Sequence, residues 1–138
     1  MPSSFMSLPF WIPRGLGTVD GIARVCETEL IVEFEVKSML GIGTREVAIP
    51  FEEIESVAFK EGFFNRALHF ATRRLHPASN IPGSKAGQFA LYVSRGHVTK
   101  AREVESLLAY GLARRDLHDM TGSLPPRHRD LRAPRDTY

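Results

Sequence analysis

The residues ELIVEFEV, 29–36, constrain the fold more than any other stretch of the chain. Leu30, Val32, Phe34 and Val36 fall at every second position, with Glu29, Glu33 and Glu35 between them. Side chains of a strand point alternately to its two faces, so this run is a strand with one face in a core and an acidic face in water. A helix would scatter the same residues around its circumference.

The same period recurs on both sides of this run. Residues 22–26 read as a shorter strand, and Glu27-Thr28 is a connection tight enough for an antiparallel hairpin. Residues 38–44, with Gly41 and Gly43, read as a loop, and 45–49 resume alternation with Val47 and Ile49 inward until Pro50 ends the strand. Phe51 and Ile54 are spaced for one helical turn, after which Val57 and Phe59 alternate again up to Glu61-Gly62. Further strands are expected over 67–72, with Leu68 and Phe70 inward, and over 88–93, with Phe89, Leu91 and Val93 inward. The stretch 75–87 between them, rich in Pro, Gly and Ser, reads as a long loop of the kind that often carries binding.

At about Val98 the period becomes helical. Val98, Ala101, Val104, Leu108 and Leu112 line one face and Lys100, Arg102, Glu103 and Glu105 lie off it, with Thr99 as the expected N-cap and Gly111 near the expected end. Six or seven short strands and one amphipathic helix make a mainly β domain with one α-helix: an antiparallel barrel of about seven strands capped by a C-terminal helix. The expected layout is an apolar N-terminal leader over 1–18, a domain over 19–113, and an Arg- and Pro-containing tail over 114–138 with too little to bury to stay ordered.

The leader is apolar enough to pack on its own domain or a second subunit, which makes Phe10, Trp11 and Ile12 candidate assembly residues. A membrane-surface anchor is less well supported, because no Lys/Arg cluster adjoins it. The net charge of +2 is too small to imply a polyanion, and the arginine-bearing tail lacks the interleaved aromatics that stack on nucleic-acid bases. One cysteine, Cys26, excludes an internal disulfide. With no secretion signal and no apolar run approaching ~20 residues, the expected location is the cytoplasm.

No nucleophile elbow, phosphate loop or metal-spaced histidine pair is present in the sequence, so the chain is not expected to be an enzyme or to hold a cofactor or metal. Two features could bind. Arg73, Arg74, His76 and Lys85 lie on or beside the long loop and could clamp an anion, although they also suit a solvated strand end. Phe63-Phe64 at a turn could seal an interface, enter a membrane surface, or fold back over the barrel mouth.

The segments IPFEEIESVAFK (49–60), EGFFN (61–65) and IPGSKAGQFALYV (81–93), in this order before a final helix, resemble the bacterial pleckstrin-homology-like proteins over roughly residues 19–113. The resemblance implies a seven-stranded barrel plus helix, and a binding or scaffolding module that is often oligomeric. Eukaryotic pleckstrin-homology domains gather basic residues around the loop joining their first two strands, where this sequence is read as placing Glu27 and Glu29 beside Arg24 alone. Phosphoinositide binding is therefore not carried over. The expected function is a non-enzymatic interaction or scaffolding module that binds protein, itself included. The alternative is a peripheral binder of anionic lipid or small anions through the Arg73/Arg74 region.

Overall fold

The computed structural model describes residues 4–76 and 78–123. Seven antiparallel strands form one sheet: β1 (Ser4–Arg14), β2 (Gly17–Cys26), β3 (Glu29–Ser38), β4 (Gly41–Pro50), β5 (Ile54–Glu61), β6 (Arg66–Thr72) and β7 (Gln88–Tyr92), followed by helix α1 (Val98–Ser123). The lateral order is β4-β3-β2-β1-β7-β6-β5. β4 and β5 are thus opposite edges of the sheet, yet a single 3₁₀ turn at Phe51–Glu53 joins them. So short a link requires the sheet to curl until its edges approach, and the result matches a pleckstrin-homology-like barrel with a capping helix.

The alternating residues of β3 point where their spacing demands. Leu30, Val32 and Phe34 are buried in one core with Val47 and Ile49 of β4, Leu68 and Phe70 of β6, and Phe89 and Leu91 of β7. Phe70 and Phe89 stack at 4.8 Å between centroids. From the helix, Ala101, Val104, Leu108 and Leu112 enter the same core. On the outer face Arg24 bonds to Glu33 at 2.6 Å and Glu46 at 2.7 Å, tying β2, β3 and β4 together.

The segment 1–18 is not a leader beside the domain, because its residues 4–14 form β1 in the middle of the sheet. Leu8, Phe10 and Ile12 are core residues, and the barrel begins with this strand rather than at residue 19. Pro9 and Pro13 obscure the strand in the sequence, since proline cannot donate to a ladder. Their positions show how they are accommodated. Val93 N–H bonds to the Arg66 carbonyl and Gln88 pairs with Lys85 on the other side, so the backbone groups of Gln88, Ala90 and Tyr92 face β1. β1 meets β7 at one pair only, Trp11 with Tyr92. Pro9 and Pro13 flank that pair on the same edge of β1, where the missing donors stop the ladder from extending. The Trp11 and Tyr92 rings stack across the joint at 5.0 Å. Gly21 lies opposite Phe10, and any Cβ there would sit 2.5 Å from the Phe10 ring and 2.2 Å from the Glu33 carbonyl oxygen.

Two other boundaries shift. Residues 38–44 are not a loop: β3 and β4 pair to Ser38↔Gly41, leaving only Met39-Leu40 as the turn. The helix does not stop near Gly111 but runs to Ser123, ten residues past the expected boundary at 113. Gly111 is a packing notch rather than a cap, because a Cβ would lie 2.7 Å from the Phe51 ring. Arg115, one turn later, donates to the carbonyls of Phe51 (2.7 Å) and Ile54. A 3₁₀ turn at Arg95–His97 leads into α1, so Thr99 lies inside the helix instead of capping it. The rest of the expected tail, 124–138, lies outside the described residues.

α1 also closes the free edge of β5. Glu105 accepts the Phe59 backbone N–H at 2.8 Å, Arg102 lies over the Phe59 ring, and Arg115 takes the two carbonyls just named. An edge strand otherwise offers unpaired backbone groups to any passing chain.

Candidate functional site: exposed hairpin tips

β2 and β3 pair only from Gly21↔Phe34 to Val25↔Leu30. Beyond Gly21 and Phe34 the β1–β2 and β3–β4 hairpins diverge, leaving a cavity of about 340 Å³ lined by Arg14, Val19, Phe34 and Lys37 among others. Gly17 and Ser38, the residues flanking the two turns, each stand four positions past that last pair, so the turns end at the same level. Leu16 crowns one and Met39-Leu40 the other, all three as exposed as an isolated side chain (110%, 103% and 100%), with Ile42 at 70%. Arg14 and Lys37, both exposed, stand just below them, while Arg45 lies four pairs further down opposite Phe34, beyond exposed Glu35.

These tips escaped the sequence reading, although a signal was present. Two-residue hairpin turns favour Asn, Asp and Gly for their backbone freedom. Met39-Leu40 offers no such advantage, so its two large apolar side chains have no turn-forming reason to be there. Gly15 (φ +59°) and Gly41 (φ +129°) supply the freedom instead.

The residues singled out from sequence do not come together. Arg74 forms a two-pronged pair with Glu53, at 2.8 and 2.6 Å, and Arg73 lies 3.8 Å from Asp116. The Arg74 guanidinium holds the Glu53 carboxyl below the ordinary carboxylate range, and Glu53 in turn raises Arg74. Arg74 is therefore already matched by one of the protein's own acids, while Arg73 has only a long contact to an Asp116 that Arg115 holds. His76 is exposed nearby, while Lys85 belongs to a separate turn next to β7. Phe10 and Ile12 are buried in the chain's own core, and half-buried Trp11 is committed to Tyr92, so none of the three is free for assembly in the way the sequence suggested.

Phe63 and Phe64 are 90% and 80% exposed, edge to face at 4.7 Å, so they do not fold back over the barrel. Strand direction puts their turn at the end opposite Leu16 and Leu40, since β6 runs parallel to β1. Cys26 is buried in β2 and burial pushes its thiol up, away from thiolate reactivity. Among the described residues no cluster of three His, Cys, Asp or Glu side chains could hold a metal ion, and no helix is long and apolar enough to cross a membrane.

With β1 the first strand of the sheet, the loop that joins the first two strands is not the one expected from the sequence. That loop is Gly15-Leu16 beside Arg14, whereas Glu27-Thr28 joins β2 to β3. The acidic residues that argued against an anionic ligand at the first loop are not in it. No protein-family model, curated protein or solved structure matches this chain.

Proposed function

We propose that this chain is a non-enzymatic docking module of pleckstrin-homology-like type that seats on an anionic lipid surface through its β1–β2 and β3–β4 tips. The observation that carries the reading is the full exposure of Leu16, Met39 and Leu40 on the turns of two neighbouring hairpins whose arms are of equal length. Each such side chain gains on the order of 2 kcal/mol on leaving water for hydrocarbon. Arg14 and Lys37 behind them supply the second signal, about 1 kcal/mol apiece next to anionic headgroups. Neither signal alone holds a protein on a bilayer, but together they do.

The test is co-sedimentation with phosphatidylserine-containing vesicles and with phosphatidylcholine vesicles. Binding is expected only to the first, weakened by salt and lost in Leu16→Ser/Leu40→Ser. Equal binding by that variant, or none by the parent at low salt, contradicts the reading.

A second reading, docking to another copy of the chain, is favoured by the Phe63–Phe64 pair. Aromatic side chains, phenylalanine included, are enriched at the cores of protein interfaces. Light scattering of the parent against Phe63→Ser/Phe64→Ser decides it: a loss of mass in the variant supports self-association, and a monomeric parent removes it.

A further inference from the structure

An open trough of about 560 Å³ lies on the outward face of β5, β6 and β7. Its floor is made of small side chains. Ser56 stands across from Ala71 and Ala71 from Gln88, while His69 stands between Ala58 and Ala90. Sheet surfaces favour branched or aromatic residues, so a patch of alanine and serine leaves a hollow. Lys60, His69 and Lys85 line it, and among the described residues no carboxylate does. Of the acids on or next to β5, Glu53 and Glu61 are held by Arg74 and Arg102, and Glu55, beside Ser56, is exposed but does not line the trough.

One wall is a strained turn. Lys85 pairs with Gln88 around Ala86 and Gly87, both in the left-handed region at φ 54° and 78°. Asparagine or glycine suits the first position, and alanine there costs roughly 1 kcal/mol. The Thr72 hydroxyl lies 2.6 and 3.0 Å from the carbonyl oxygens of Arg74 and Gly87 and anchors the turn. Strain held in place by its surroundings marks positions where geometry matters more than stability.

The lysines stand at opposite corners. Lys60 is level with Tyr92 through Ala67, and Lys85 lies beyond Gln88 at the other end of β7. Strand spacing and rise put their backbones about 20 Å apart, a span that their flexible side chains can narrow from both ends. Two separate ammonium groups suit phosphate, whereas a planar carboxylate is matched best by a guanidinium fork.

We propose that this trough binds a small bisphosphorylated molecule, one phosphate at Lys60 and one at Lys85, with its body over the alanine floor beside His69. The site stands on the flank of the barrel and does not rest on docking through the tips. The test is titration of the ¹⁵N-labelled full chain with fructose 1,6-bisphosphate followed by NMR, with inorganic phosphate in parallel and a soluble bisphosphate competing against anionic vesicles. Saturable shifts are expected at Lys60, His69, Lys85 and Gln88. The bisphosphate should bind at least tenfold tighter than inorganic phosphate, Lys60→Ala/Lys85→Ala should weaken it at least tenfold, and Leu16→Ser/Leu40→Ser should leave it unchanged. Vesicles that fail to displace the bisphosphate identify a free small molecule as the source. Displacement by vesicles would assign the site to lipid headgroups and overturn the small-molecule assignment. Shifts spread over all surface cations, inorganic phosphate binding as tightly as the bisphosphate, or full affinity in the lysine variant would overturn the site itself.

Discussion

Gly111 inverts an ordinary rule. In an exposed helix interior, replacing glycine by alanine gains about 1 kcal/mol. Here the added methyl would meet the Phe51 ring at 2.7 Å, so Gly111→Ala is expected to cost about 1 kcal/mol in urea denaturation, and a gain would show that the ring moves aside freely. The sequence could not distinguish this notch from a helix end, because both call for the smallest residue. A second prediction concerns the Arg74–Glu53 pair. Arg74 lowers the Glu53 pKa, so the pair's contribution to stability is present above the ordinary carboxylate pKa and is lost as pH falls through the lower folded value. The stability difference between the parent and Arg74→Met should therefore shrink between about pH 6 and pH 3, and a constant difference would show that the two side chains are not coupled.

Elements were legible where one principle acted alone. β3 declared itself through period two, and α1 through Ala101, Val104, Leu108 and Leu112 at helical spacing. β1 did not, because Pro9 and Pro13 normally speak against a strand, and only the single-pair joint at Trp11–Tyr92 makes them tolerable. The β3–β4 turn was hidden by Gly41 and Gly43, which read as loop but belong to a paired ribbon. The site was less legible than the fold, since apolar residues at a turn only hint at it, and the exposure of Leu16 or Leu40 follows from register rather than from local sequence. The reassignment of β1 makes a definite prediction: deleting residues 1–13 removes a central strand and should abolish the β signal in circular dichroism. A folded truncation product would contradict the topology.

The whole molecule has two apolar poles. Leu16, Met39 and Leu40, backed by Arg14 and Lys37, mark one end, and Phe63-Phe64 marks the other. Cations stand behind both poles, but Arg66 and Arg102 near the aromatic one are held by Glu61, whereas Arg14 and Lys37 make no ion pair among the described residues. A bilayer with anionic headgroups therefore meets apolar tips and available cations at successive depths at the first pole. Lipid docking therefore requires one orientation, with the first pole down and the aromatic pole away. Amide line broadening on phosphatidylserine nanodiscs doped with a gadolinium-bearing lipid reads that orientation directly. Broadening should be greatest at Leu16, Met39 and Leu40 and least at Phe63 and Phe64, whereas broadening centred on the aromatic pair, or none, would contradict the account.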